Sequence, residues 1–189
     1  MKDNQWIALF SQTGSEIVEL SKRLGKFPDV IVTNNGDEST WCKELQELDV
    51  HRRSSRIVVV SSIQAKTANF LHNIQGSKNS LVTLHGWLRI IPADICVQYE
   101  IVNGHPGLIT RYPELKGYDP QIRYWDNKDT YEYYGSVVHN VTAEVDEGKV
   151  LTSCERKLEG DHEHPFNLLK DTSLEAWLDF FKTHNTINV

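Results

Sequence analysis

Four short apolar runs, separated by stretches with helical spacing, constrain what this chain can fold into more than any other feature. Trp6 to Phe10, Asp29 to Thr33, Arg56 to Ser61 and Ser80 to His85 are each the length of a strand. After the first, Ile17, Val18, Leu20, Ser21 and Leu24 share one helical face, so the spacing predicts strand, turn and helix in succession. Asn34-Asn35-Gly36 ends the second run, and Ser39 is placed to cap a helix with Leu45 and Leu48 on its inner face. Ile57-Val58-Val59-Val60 is so β-branched and so short that it reads as a strand of the sheet interior, and Gln64 to Asn73 reads as helical. Strands alternating with helices imply a doubly wound, mostly parallel sheet with right-handed crossovers, a Rossmann-like α/β fold.

After Tyr99-Glu100-Ile101-Val102 the pattern changes. Residues 104 to 120 carry Gly104, Pro106, Gly107, Pro113, Gly117 and Pro120, which predicts a long ordered loop of the kind that serves function. Ser136 to Val141 and Lys149 to Arg156 predict an antiparallel C-terminal strand pair at the sheet edge, joined through Ala143 to Gly148. Leu174 to Phe181 predicts a closing helix capped by Ser173 or Thr172. Residues 1–189 show no repeat or linker, and a chain of 189 residues fits a single domain that buries roughly 70% of its unfolded surface.

Charge and cysteine usage remove several classes of function. A net charge of -6 and a pI near 5.7 argue against sequence-independent nucleic-acid binding. Cys42, Cys96 and Cys154 are scattered and unpaired, so neither a disulfide framework nor a zinc site is expected. The first apolar run is too short for a signal segment or a membrane span, and a cytoplasmic location is the expectation. Asp161-His162-Glu163-His164 has metal-ligand residue types but lacks the further ligands a site needs, so no metal is expected. Arg52, Arg53 and Arg56 read as a solvated basic loop.

One constellation carries chemistry. Val102-Asn103-Gly104-His105-Pro106-Gly107, with the later His139-Asn140-Val141-Thr142-Ala143-Glu144-Val145-Asp146-Glu147-Gly148, supplies an amide donor, an imidazole and a carboxylate. Asn103 and His105 lie two residues apart on an extended segment and so face the same side. Transfer of a one-carbon acyl group to an amine passes through a tetrahedral intermediate whose oxygen becomes negative, and fixed donors such as Asn103 stabilise it. Asp146 beside His105 is expected to raise the imidazole pKa, hold it as a second oxyanion donor, and shuttle the proton of the attacking amine.

Asn103-x-His105-Pro106 and Val145-Asp146-x-Gly148 resemble motifs of the folate-dependent formyltransferases, most closely of the members that act on phosphoribosylglycinamide. His85-Gly86-Trp87-Leu88-Arg89-Ile90-Ile91-Pro92 is similar to that family's Ala-Gly-Phe-Met-Arg-Ile-Leu segment, in the correct order. The resemblance covers Ile7 to about Arg156 and implies the formyltransferase fold, with 10-formyltetrahydrofolate as co-substrate. It implies catalysis by Asn103, His105 and Asp146, and a folate pocket of Leu88, Arg89, Ile90, Ile91, Val141, Thr142, Glu144 and Val145. Thr13, Gly14, Ser15, Glu16, Gly86, Gly104 and Pro106 would meet the amine substrate, while His139 would support the others through hydrogen bonds.

The departures fall at the substrate end. Ser11-Gln12-Thr13-Gly14-Ser15-Glu16 stands where the family has Gly-Asn-Gly-Ser-Asn, a turn whose backbone amides meet a substrate phosphate, and Glu16 puts a carboxylate there. Gly104 and Gly107 replace Ile and Ser, which would enlarge the amine pocket or loosen the loop. The tyrosines and basic residues between Pro106 and Val137 either stack a base or sugar or merely anchor the loop. The expected activity is formylation of a primary amine, with phosphoribosylglycinamide of purine biosynthesis as first choice. An amino sugar or modified nucleotide, hydrolysis of 10-formyltetrahydrofolate, and a binding protein without turnover are the alternatives. A small-molecule amine is the expected partner, without nucleic acid or membrane, to a monomer or homodimer.

Overall fold

Every side chain of β1 (Trp6–Phe10) is buried, and this strand lies inside the sheet around which the chain is built. The computed structural model describes residues 5–51, 56–74, 80–158 and 165–184. Trp6, Ala8 and Phe10 point to one face of the sheet, Ile7 and Leu9 to the other. A strand covered on both faces has no polar side, which is why its sequence is continuously apolar.

Parallel to β1 run β2 (Val30–Thr33) on one side and β4 (Leu81–Leu84) on the other. Beyond them lie β3 (Arg56–Val59) and β5 (Glu100–His105), also parallel. The antiparallel strands β6 (Tyr133–Asn140) and β7 (Val150–Lys157) complete the order β3-β2-β1-β4-β5-β6-β7. The face of Trp6 is covered by α1 (Ser15–Leu24) and α6 (Pro165–Thr183), through Ile17, Leu20, Trp177 and Phe180, and Leu45 of α2 (Lys43–His51) joins them. Opposite, α3 (Ser62–Thr67), the 3-10 turn Asn69–Asn73 and α4 (Ala93–Cys96) deliver Ala65, Phe70, Leu71 and Ile95. This is the expected Rossmann-like, doubly wound sheet with an antiparallel C-terminal pair.

The chain leaves β1 towards β2 and β3, then returns to β4 on the other side of β1. Connections at the carboxyl ends of β1 and β4 therefore diverge, and such a switch point opens a crevice. A backbone hydrogen bond from Ser11 to the Gly86 carbonyl (3.2 Å) ties the two ends together at its floor.

Several elements differ from expectation. β3 is the edge strand and half exposed, because the sheet grows through β4 on the opposite side of β1; a β-branched run does not distinguish edge from interior. Asp37, not Ser39, caps the turn before α2, its carboxylate accepting from the Ser39 N–H, and that turn is the 3-10 segment Glu38–Thr40. The segment 64–73 breaks at Ala68, in left-handed conformation, after a capping box of Ser61 and Gln64. Helix α6 begins at Pro165, so Thr172 and Ser173 are buried mid-helix instead of capping it. The loop tyrosines divide: Tyr124, Tyr131 and Tyr134 are buried in a satellite core with Leu108 and Ile109 over β6, whereas Tyr118 is 79% exposed. Arg52, Arg53 and the 161–164 cluster lie outside the described residues, as does the side chain of Leu48. Among the described residues no helix is long and apolar enough to cross a membrane.

Candidate active site

Asn103 and His105 project from the carboxyl-terminal half of β5 towards one cleft of about 960 Å³. Antiparallel pairing sets Asn103 opposite His139 of β6, and their side chains meet: Asn103 Nδ2 lies 3.2 Å from His139 Nε2. The other His139 nitrogen, Nδ1, is 2.9 Å from the Asn140 carbonyl, which accepts its hydrogen. The contact with Nε2 fixes where the Asn103 carboxamide sits beside the ring.

Asp146 closes the group from the turn after β6. Its φ of 56° is left-handed, a conformation that Asp tolerates better than most residues and that is held here by its surroundings. Its Oδ2 accepts the Gly117 N–H (2.7 Å) and lies 3.2 Å from His105 Nδ1, while its Oδ1 lies 3.4 Å from His139 Nε2. Burial pushes the Asp146 pKa up, but the His139 ring, the charge that His105 acquires in acid and the Gly117 N–H outweigh it, leaving the carboxyl below its ordinary value.

His105 departs from expectation. Burial lowers its pKa, and the charge of Asp146 and the Leu115 carbonyl do not fully restore it. Its Nε2 donates to the Leu115 carbonyl at 2.9 Å, so in a neutral ring Nδ1 carries the lone pair, beside Asp146. A neutral His105 is a proton acceptor, not the standing oxyanion donor that the nearby carboxylate suggested. His105, His139 and Asp146 also place ligand atoms within 4.8 Å of one another, the donor set of a transition-metal site.

At the β1 end Gly14 precedes α1 in left-handed conformation, with φ 71°, and makes no side-chain cap. Glu16, in the first turn, is mostly enclosed. One of its oxygens accepts from Ser173 Oγ (2.6 Å) and the other from His85 Nδ1 (2.8 Å). Burial raises its pKa, yet hydrogen bonding to His85, the His85 charge and Ser173 bring it below the ordinary value, so it stays a carboxylate. His85 packs at 4.6 Å, with the rings tilted, against Trp177, whose indole packs against Gly104 so closely that a methyl group there would overlap it. Gly104 therefore does not enlarge the pocket; its missing side chain is replaced by Trp177. A side chain at Gly107 would press on Leu115 and the His105 ring.

Across the cleft the segment after β4 exposes Leu88 (48%) and Ile90 (67%), and Val145 is half exposed, while Ile91 is buried. The Leu88 N–H is held by Ser11 Oγ at 2.9 Å, and Arg89 turns back onto the Leu88 carbonyl. Val141, Thr142 and Glu144 continue this wall. Apolar side chains exposed inside a cleft suit a flat, largely apolar ligand.

All the residues expected to be functional line this one cleft: Thr13, Gly14, Ser15, Glu16, Gly86, Leu88 to Ile91, Asn103 to Pro106, Val141, Thr142 and Glu144 to Asp146. Sequence reasoning gave no place in the site to His85, Asp119, Lys170 and Ser173, and left Tyr118 between stacking on a ligand and anchoring the loop. His85 follows a strand with no local signal of a role, and Lys170 and Ser173 lie in the first half of α6, upstream of the helix that spacing identifies.

The family model described as formyl transferase matches residues 7–163. No curated protein matches the chain. Among solved structures, phosphoribosylglycinamide formyltransferase from Anaplasma phagocytophilum superposes with a TM-score of 0.73 at 20% identity, covering 96% of this chain and 86% of that one. A formyltetrahydrofolate deformylase from Pseudomonas syringae pv. tomato gives 0.71 at 16% identity, covering 97% and 62%. A sugar N-formyltransferase from Shewanella gives 0.60 at 18% identity, covering 96% and 68%.

Proposed function

The chain belongs to the formyl transferase family, and from that premise we propose that it moves the formyl group of 10-formyltetrahydrofolate onto a small primary amine, with residues 1–189 as one catalytic domain. The observation that carries this reading is the convergence of the Asn103 amide, the His105 ring and the Asp146 carboxylate on one cleft. Asn103 offers an N–H to the formyl oxygen as it becomes negative. His105 Nδ1, unprotonated beforehand, takes the proton of the amine that attacks the formyl carbon, and gives it to the folate nitrogen that departs as the carbon–nitrogen bond breaks. Asp146 stabilises the imidazolium that exists between these two transfers.

Leu88, Ile90 and Val145 offer the apolar surface that a pterin ring needs, with Ile91, Val141, Thr142 and Glu144 around them and Arg89 as a cation at this wall. No step in this scheme calls for a metal. Phosphoribosylglycinamide is supported as acceptor by the sequence motifs and by the name of the Anaplasma neighbour. A second reading, an amine without a phosphate, is favoured by Glu16, a carboxylate in the first turn of α1. The test is incubation with 10-formyltetrahydrofolate and an amine panel, following tetrahydrofolate by absorbance and product by mass. Formylated amine is expected; formate release independent of amine would point to hydrolysis, and no consumption at all would leave only a binding protein.

A further inference from the structure

Two walls of the cleft describe the acceptor. The start of α1 has the unpaired N–H groups and the dipole that ordinarily attract an anion. Here Glu16 already supplies the negative charge, and it is not free to leave, since Ser173 and the fully buried side chain of His85 hold both of its oxygens. His85 is fixed in turn by Thr83 (2.9 Å) and by Trp177. Over the cleft as a whole, Glu16, Asp119, Glu144 and Asp146 outnumber the cations Arg89 and Lys170. A dianionic phosphate would enter a cleft of its own sign.

The facing wall offers a different surface. Tyr118 stands 79% exposed at the mouth, between Gly117 and Asp119, both with positive φ. The loop that presents it is rigid: Arg123 donates to the carbonyls of Glu114, Leu115 and Lys116, and Gly117 donates to Asp146. Asp119 precedes α5 (Pro120–Asp126), makes no cap with its carboxylate, and lines the cleft. An aromatic face beside an uncommitted carboxylate suits a ring with C–H edges and hydroxyl donors.

We propose that the acceptor is a primary amine on a neutral, hydroxyl-bearing ring without phosphate, excluded from charged alternatives by Glu16 with His85 and seated by Tyr118 and Asp119. This rests on the formyl-transfer reading above. The test uses matched pairs, glycinamide riboside against phosphoribosylglycinamide and an aminohexose against its 6-phosphate, each with 10-formyltetrahydrofolate. In each pair kcat/KM is expected to favour the unphosphorylated amine by about tenfold or more. Glu16→Gln should narrow that ratio towards one, and Tyr118→Ala, at a position too exposed for the fold to depend on it, should raise KM for the unphosphorylated amine with little change in kcat. Preference for the phosphorylated member, or a ratio that Glu16→Gln leaves alone in a folded protein, would overturn the inference while leaving formyl transfer intact. Absence of any amine-dependent turnover would overturn both.

Discussion

Asn103 sits directly across from His139 in the antiparallel pairing of β5 and β6, and the two side chains meet at 3.2 Å. The register of two strands, not a flexible loop, therefore aims the amide that would receive the developing negative charge. A site built on paired strands is held more tightly than one built on loops.

Asn103→Ala is expected to lower kcat/KM by roughly 100 to 1,000-fold, the usual cost of one oxyanion donor. His139→Ala leaves the amide in place but unaimed, and a smaller loss, up to about 100-fold, should follow. Steady-state kinetics on both variants, with circular dichroism to establish folding, checks the order of the two effects.

The pH profile should report His105. Because burial holds its pKa below the ordinary value, kcat/KM should stay on its plateau down through about pH 6.5 and fall only below it, as Nδ1 becomes protonated. Asp146→Asn removes a charge that raises this pKa, so the acid limb should move further down. The same variant should lose about 100 to 10,000-fold in kcat, because the transient imidazolium loses its counter-charge. An acid limb above pH 7 in the wild type would contradict the assignment.

Glu16 gives a separate prediction about stability. Its folded pKa lies below the unfolded value, so the pair with His85 contributes fully above the unfolded carboxylate pKa of about 4.3 and is lost as pH falls through the lower folded value. Urea unfolding between pH 6 and pH 3 should show the wild type losing more stability across the acid end than Glu16→Gln does.

Gly104→Ala should destabilise the protein by about 1 to 3 kcal/mol, the cost of forcing a methyl group into a filled core. The obstacle is the Trp177 indole, so combining Gly104→Ala with Trp177→Ala should cost less than the sum of the two changes. Thermal unfolding of the single and double variants completes the cycle.

Much of the fold and of the candidate site was legible because both rest on local pattern. Strand-length apolar runs identify β1, β2 and β4, and an Asn and a His two apart on a strand have to share a face. What was not legible depends on partners distant in sequence. A β-branched run does not say whether another strand will lie beyond it, so β3 was misplaced to the interior. Glu16 looked like a charge facing substrate because its partners, His85 and Ser173, lie 69 and 157 residues away. Gly104 looked like empty space because Trp177 comes from the far end of the chain. His105 looked like a cation because sequence shows the carboxylate beside it and not the burial around it.

Leu115 and Gly117 are separated by a single residue, and between them they hold the outer nitrogen of His105 through a carbonyl and the Asp146 carboxylate through an N–H. The instruction about which imidazole nitrogen carries hydrogen is thus written in main-chain atoms, independent of the side chain at 115, while the φ of 86° at 117 reserves that position for glycine. Side chains along the rim are correspondingly free to diverge. A lineage could exchange Tyr118 or Asp119 for other residues and acquire a new acceptor without relearning the reaction.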